Sequence, residues 1–285
     1  QYNYANIVVI NPVASADMIA NHSFSESEKP PVMSCRVSSS QFMTAVSESP
    51  AVRRLIDKIL DNQNQLYINM YESVVEMSLD QIERVSILGP DKHVAKKYNN
   101  KIVQYRELKD IVPLIEGEIC TGLSELMEKT ARCRQVWDDG VFVSGAYSAA
   151  GANSAVTHSQ KEVASNFTDE DGEYLITRYI PHELDPTVLA VVANEEDVYV
   201  AGIADQHIVD GNKFVGSYFP SAVNREQEAQ LRRYTVEVGK LLGRAGYRGN
   251  CAAALKNGFK FNPAEWEVAH CRLYFRYKAR QRSTG

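Results

Sequence analysis

Residues 141–154 read VFVSGAYSAAGANS, a short β-branched and aromatic run followed by a stretch of small side chains. The run VFV at 141–143 predicts a strand, and the residues from Ser144 to Ser154 predict a loop. Small residues let backbone N–H groups come close to a ligand and cradle phosphate oxygens. The loop lacks the Gly-Lys-Ser/Thr of a Walker A motif and the GxGxxG pattern of a dinucleotide site. By itself it fits either a phosphate-binding loop or a tight surface turn.

Strand and helix patterns alternate on the N-terminal side of this loop. Residues 7–10 (IVVI) and 66–70 (LYINM) predict strands. Residues 51–60 predict a helix, because apolar side chains recur at helical spacing and Pro50 precedes them. The alternation favours an open α/β layer over about the first 90 residues.

The pattern after the loop predicts a further strand, a hairpin and a long helix. The strand is expected around residues 174–176, and the hairpin from residues 188–192 and 198–203 around the acidic turn NEED. Residues 227–245 predict a helix with one apolar face, which Gly243 and Gly246 are expected to end.

Composition describes an ordinary globular chain. Of 285 residues, 44% are hydrophobic and 24% are charged, and the net charge is −5. This balance favours neither nucleic acid nor an anionic membrane as a partner. Its five cysteines are scattered without a CxxC pair, which fits a reducing cytoplasm better than a disulfide framework or a zinc site. No apolar run reaches the roughly 20 residues needed to cross a bilayer.

Five short motifs occur in one order along the chain. They are Leu88-Gly89-Pro90, Asn100-Lys101, the small-residue loop, ITRYIP at 176–181 and GYRGN at 246–250. Together they resemble the ATP-grasp superfamily over roughly residues 88–247. The resemblance implies an α/β (α+β) ATP-grasp fold with an N-terminal Rossmann-like pre-grasp domain at 1–90. The small lobe is then expected at 91–178, and an incomplete or divergent large lobe at 179–285.

The resemblance also implies a nucleotide site. Lys101 matches the lysine that contacts nucleotide phosphates from the small lobe, although an exposed helix lysine is the alternative. The loop matches the segment that covers the phosphates, and the hinge between the lobes is where backbone groups read the adenine edge. The implied loop and hinge residues are Ser148, Ala149, Gly151, Ala152, Asn153, Arg178, Tyr179 and Ile180.

The activity implied by the resemblance is ATP-dependent ligation in biosynthesis, with ATP and Mg²⁺ as cofactors. A small-molecule or peptide carboxylate is phosphorylated to an acyl phosphate, which an amine then attacks to release phosphate. The implied partners are these substrates and a second copy of the chain in a homodimer. The rival interpretation is a non-catalytic nucleotide-binding or interaction protein with the same fold.

Several positions depart from the family pattern. Ser144 stands where a second phosphate lysine is usual, and Thr177 where the hinge opens with Glu. Residues 252–255 (AAAL) replace an acidic metal ligand. Further on, Arg276 and Lys278 stand in place of a Glu and an Asn; an alternative alignment uses residues 261–263 (FNP) instead.

Because Mg²⁺ requires oxygen ligands, these changes remove the expected metal site, and no catalytic residue is assigned. Three explanations stay open: a non-native reading of the gene after Cys251, a pseudoenzyme that binds nucleotide without turnover, or carboxylates supplied from elsewhere. A histidine metal site is not indicated, because His158, His182 and His207 are widely spaced and no HExxH motif occurs.

Overall fold

The computed structural model describes residues 9–12, 32–35, 42–69, 74–148, 153–181, 184–209, 213–256 and 267–272. The chain divides into two units, Gln1–Leu88 and Gly89–Gly285. The further division of the second unit at residue 178 stays a prediction.

The described part of the first unit contains both strands and helices. Its elements are β1 (Val9–Pro12), β2 (Val32–Cys35), α1 (Phe42–Glu48), α2 (Pro50–Leu60), β3 (Leu66–Asn69), a 3₁₀ helix (Leu79–Gln81) and β4 (Val85–Leu88). Strand β1 pairs with β2, and β3 pairs with β4, both in parallel. Parallel strand pairs fit the predicted α/β layer. A single Rossmann-like sheet through these strands stays a prediction.

Helix α2 shows how local sequence sets an element of this unit. Pro50 occupies the first helical position, and the Ser49 hydroxyl accepts a hydrogen bond from the Val52 N–H at 3.4 Å. Val52, Ile56 and Leu60 recur every four residues and are buried. The core that they join consists of Val46, Val52, Ile56, Leu60, Met77, Leu79 and Val85.

The second unit contains two antiparallel sheets. Its elements are α3 (Lys92–Asn99), α4 (Lys101–Leu108), β5 (Gly117–Thr121), α5 (Gly122–Cys133), β6 (Val141–Gly145), β7 (Ser154–Thr157), α6 (Gln160–Asn166), β8 (Glu173–Arg178), β9 (Pro186–Val192), β10 (Val198–Val209), β11 (Lys213–Tyr218), α7 (Arg225–Arg244), β12 (Gly249–Lys256) and β13 (Glu267–Arg272).

The first of these, the small sheet, has the strand order β5-β8-β6-β7 with antiparallel pairing throughout. Helix α5 packs against β5 and β8, and α6 packs against α5 and β7. Alternate residues of β6 and β8 face these helices, among them Val141, Val143, Tyr174 and Ile176. Because strand side chains alternate between faces, Ser144 and Thr177 lie on the opposite face.

The large sheet has the order β11-β10-β9-β12-β13, again antiparallel. Helix α7 covers one face and packs on the central strands β9, β10 and β12. Val188, Ala190 and Val192 of β9 point into that core with Leu231 and Val238 of α7. The hairpin and long helix predicted from sequence are therefore confirmed.

Helices α3 and α4 join the two sheets. Tyr98 and Leu108 are buried in the core of the large sheet, while α4 also packs against β8 of the small sheet. Asp91 and Asn100 begin the two helices, each accepting backbone N–H bonds through its side-chain oxygen. The Asn100 cap is what starts α4 at Lys101.

Some predicted boundaries were wrong. Ser144 and Gly145 extend β6, and Ser154 begins β7, so the connecting loop is shorter than predicted. Gly243 does not end α7 but lies inside it, where a Cβ would come within 2.7 Å of the Glu195 Cα. Gly246, at φ +86°, lies just beyond the helix end in the left-handed region that favours glycine.

In the part of the chain that the structure describes, no helix combines the length and hydropathy needed to cross a bilayer.

Candidate functional site

The Ala146 peptide, directly after β6, is held from two sides. Its N–H donates to the Glu173 carbonyl oxygen at 3.0 Å, and its own carbonyl oxygen accepts the Lys101 N–H at 2.8 Å. Glu173 begins β8, and Lys101 begins α4. The two bonds therefore place the first residue of α4 beside the start of the small-residue loop.

Lys101 is buried, with 6% of its surface exposed, so the alternative interpretation of an exposed helix lysine was wrong. Burial penalises an ammonium group, and the positive end of the helix dipole does so as well. The next two backbone N–H groups of α4, at Ile102 and Val103, already bond to the Asn100 side chain. The backbone N–H groups of the first three residues of α4 are therefore all engaged within the protein.

A cluster of three side chains fixes α3 to α4 next to Lys101. Tyr98 Oη donates to Glu107 Oε2 at 2.6 Å, and Lys97 Nζ lies 2.8 Å from Glu107 Oε1. Burial opposes ionisation of Glu107, but the hydrogen bonds from Lys97 and Tyr98 outweigh it and lower the pKa of Glu107. The cluster stabilises the junction at which Lys101 lies.

The two ends of the loop are joined by hydrogen bonds. The Gly145 N–H donates to the Asn153 carbonyl oxygen at 2.9 Å, and Asn153 Nδ2 donates to the Tyr147 carbonyl oxygen at 3.4 Å. The Ser148 hydroxyl oxygen is buried and has no hydrogen-bond partner among the described residues. A buried hydroxyl of this kind fits a ligand that supplies the missing partner. The predicted site residues Ala149, Gly151 and Ala152 lie outside the described residues.

The predicted hinge follows directly from β8. Arg178 is the last residue of that strand, and its N–H donates to the Glu116 carbonyl oxygen at 3.0 Å. The Tyr179 N–H donates to the Gly140 carbonyl oxygen at 3.1 Å. Ile180 is buried. Because both of these hinge N–H groups donate to carbonyl oxygens of the protein, neither can donate a hydrogen bond to a base in this structure.

Ser144 and Thr177 lie on the face of the small sheet opposite α5 and α6. Both are buried, and the register sets Ser144 opposite Leu175 and Thr177 opposite Phe142. Their side chains are neutral, whereas the resemblance expects a lysine and a glutamate. Strand β6 (VFVSG) therefore presents no basic side chain on this face.

The described part of the chain contains no cluster of side chains suited to bind magnesium. The register places Ala252 opposite Leu189, on the face of the large sheet away from α7, and pairs Ala254 with Thr187. Among the described residues, no group of three or more His, Cys, Asp or Glu could hold a metal ion. The described residues thus hold no ligand cluster that matches the magnesium site of the family pattern.

Sequence reasoning missed Ala146 and Glu173, and it placed Asp205 in the sheet of the large lobe without assigning it a role. Ala146 and Glu173 act through backbone atoms, so their identities carry no signal. Asp205 is buried, and its carboxylate accepts bonds from Ser221 Oγ at 2.5 Å and the Ala222 N–H at 2.7 Å.

No protein-family model matches the chain, and no curated protein matches it. Solved structures do. The biotin carboxylase domain of Hydrogenobacter thermophilus 2-oxoglutarate carboxylase, a dimer in complex with MgADP, ADP and bicarbonate, is 15% identical. It matches over 94% of this chain and 58% of its own length, with a TM-score of 0.69.

Two further structures are similar. Biotin carboxylase from Campylobacter jejuni, in complex with an ATP compound, is 12% identical over 94% of this chain and 60% of its own, with a TM-score of 0.69. D-alanyl-alanine synthetase A from Vibrio cholerae is 11% identical over 73% of this chain and 66% of its own, with a TM-score of 0.60. The chain thus spans about three fifths of the length of these proteins.

At identities this low, similarity of structure establishes the fold and not the activity. The matched structures belong to the ATP-grasp superfamily. The likeness to the two biotin carboxylases covers 94% of this chain, and the fold agrees with the one that the order of motifs in the sequence implies. The chain therefore has the ATP-grasp fold.

Proposed function

We propose that the chain binds ATP on the small sheet, with its phosphates beside Lys101 and the loop that begins at Ser148. The bond between the Lys101 N–H and the Ala146 carbonyl is the observation that carries this proposal. It places the first residue of α4, whose side chain is buried, beside the start of the loop, where the Ser148 hydroxyl oxygen has no hydrogen-bond partner among the described residues. Ala149, Gly151, Ala152 and Asn153 are proposed to complete that loop.

The hinge is proposed to receive the adenine base. Because the N–H groups of Arg178 and Tyr179 are engaged, the proposal assigns base recognition to carbonyl oxygens of the hinge, which accept from the adenine amino group. Buried Ile180 supplies apolar surface at the same position. Because backbone atoms contact the base in this arrangement, side chains of the hinge can differ without loss of base recognition.

The reaction class that we propose is ATP-dependent carboxylate–amine ligation. A carboxylate oxygen attacks the γ-phosphorus, ADP leaves, and the resulting acyl phosphate loses phosphate when an amine attacks its carbonyl carbon. Lys101 and the loop orient the phosphates and balance part of their charge. Small-molecule or peptide acids and amines are the proposed substrates, and a homodimer in the cytoplasm is the proposed state. Magnesium, when bound, neutralises phosphate charge during such transfers.

A second candidate is favoured by the missing metal ligands. Alanines occupy positions 252–254 of β12, and the described residues hold no metal-binding group. Since Lys or Arg cannot supply oxygen ligands to a cation, we expect impaired turnover in this chain. The alternative is thus a nucleotide-binding or interaction protein without ligase activity.

Titration with ATP, with and without Mg²⁺, separates these functions when ADP release is followed in the presence of candidate acids and amines. Binding with ADP release that depends on both substrates supports the ligase. Binding without ADP release supports the non-catalytic alternative. Absence of ATP binding under either condition contradicts both. A variant with Met at position 101 serves as the control for binding at the proposed site.

A further inference from the structure

Asn153 closes the loop at its C-terminal end, immediately before β7. Its backbone adopts φ +51°, in the left-handed region that asparagine tolerates better than most residues. From there its amide turns back across the loop, and Nδ2 donates to the Tyr147 carbonyl oxygen at 3.4 Å. The side chain of Asn153 is therefore committed to the loop itself.

Gly145 makes room for that side chain. A Cβ built on Gly145 would collide with the Asn153 amide nitrogen and would lie 2.7 Å from its Cγ. In addition, the Gly145 N–H donates to the Asn153 carbonyl oxygen at 2.9 Å. Because Gly145 has no Cβ, the Asn153 amide at the other end of the loop can pack against it. Any larger residue at position 145 displaces Asn153.

The same loop end is attached to α4 and β8. Between Gly145 and Tyr147 lies Ala146, whose peptide bonds to Lys101 on one side and to Glu173 on the other. Glu173 also faces Arg106 of α4, at 4.0 Å between Oε1 and Nη2. A shift of the loop end therefore moves the first residue of the loop relative to the Lys101 ammonium.

We propose that Asn153 is a positioning residue that contacts no nucleotide and fixes the loop ends beside Lys101. The fixed element, called here the loop clasp, consists of Gly145, Tyr147 and Asn153. The clasp holds the Ser148 hydroxyl at a constant place relative to the buried ammonium. This inference rests on the proposed nucleotide site and refines the predicted role of Asn153 within it.

Three variants test the clasp: N153G, G145A and the double variant. N153G keeps access to positive φ and removes the amide. It is expected to weaken ATP and ADP binding about fivefold, as for the loss of one hydrogen bond. Adenosine, which has no phosphate, is expected to bind N153G and wild type equally. A general loss of structure would weaken all three ligands, so this contrast separates positioning from folding.

G145A is expected to weaken ATP binding at least as much, because its methyl group displaces the Asn153 amide. In the double variant the colliding side chain is gone, so G145A adds little to N153G. Additive losses for the two substitutions overturn the clasp. Equal ATP affinity of N153G and wild type overturns it too.

Hydrogen exchange without nucleotide supplies a readout that does not depend on ATP. The clasp predicts faster exchange in residues 145–148 of N153G than of wild type. Unchanged exchange contradicts the clasp whether or not ATP binds. If residues 145–148 exchange faster in N153G but the wild type does not bind ATP, the proposed nucleotide site is contradicted. The positioning role of Asn153 is then contradicted as well.

Discussion

The backbone N–H of Lys101 lies 2.8 Å from the carbonyl oxygen of Ala146 and donates a hydrogen bond to it. This bond joins the first residue of α4 to the residue that follows β6. Helix α4 also packs against the large sheet. The hydrogen bond therefore links the loop of the small sheet to a helix that contacts the large sheet. The nucleotide proposal depends on this relationship.

Substitutions at Lys101 separate its ammonium from its backbone N–H. K101M keeps the bond to Ala146 and removes the charge, and it is expected to weaken ATP binding about 10- to 100-fold. K101P also removes the N–H, and the first turn of a helix accepts proline. We expect K101P to be less stable than K101M by about 1 kcal/mol, as for one hydrogen bond.

Equilibrium binding of ATP and urea denaturation measure these two effects. Equal ATP affinity of wild type and K101M would place the phosphates elsewhere. Equal stability of K101P and K101M would mean that the bond to Ala146 contributes nothing.

Gly243 lets α7 approach the turn of the β9–β10 hairpin. Alanine there gains about 1 kcal/mol of helix propensity, but its Cβ meets the backbone of Asn194 and Glu195. We expect G243A to lower the free energy of unfolding by about 1–3 kcal/mol, since backbone atoms cannot move aside cheaply. G216A is the matched control, because a Cβ at Gly216 meets no atom within 4 Å. A G243A protein as stable as G216A contradicts this packing.

Asp205 fixes the segment between β11 and α7. D205A leaves the Ser221 hydroxyl and the Ala222 N–H without their acceptor, which is expected to cost about 1–3 kcal/mol of unfolding free energy. S221A removes one of the two donors and is expected to cost less. Chemical denaturation of both variants measures these losses. A larger loss of unfolding free energy in S221A than in D205A would contradict the role of Asp205 as the shared acceptor.

Cys251 is expected to resist alkylation in the folded protein. Burial raises the pKa of its thiol from 9.0 to about 12. The native state thus favours the neutral thiol, so its contribution to stability is fully present below pH 9.0 and is lost as the pH rises towards about 12. Iodoacetamide labelling with peptide mapping at about pH 8.5 compares native and urea-unfolded protein. Equal rates of labelling at Cys251 in the two states contradict its burial.

Local patterns in the sequence predict many of the elements. Pro50 starts α2 as the sequence predicts, and the apolar face of α7 lies on the large sheet. These features depend on neighbours in sequence, through helix caps and helical periodicity. The order of motifs also predicts the fold, which structural similarity confirms.

Features set by distant parts of the chain were not predictable. Lys101 is buried because α4 packs on two sheets, which no local pattern shows. Gly243 resembles a helix terminator, yet its role comes from a turn nearly fifty residues earlier in the chain. The clasp likewise joins residues across a loop, where the left-handed backbone of Asn153 follows from the fold and not from composition.

Hydrogen exchange of the full chain with and without saturating ATP tests the nucleotide site most directly. The account predicts slower exchange with ATP in residues 145–157 and 178–180, and in the first turn of α4. K101M at the same ATP concentration should lose most of that protection. Unchanged exchange in these segments at saturating ATP, or protection confined to other parts of the chain, would contradict the account.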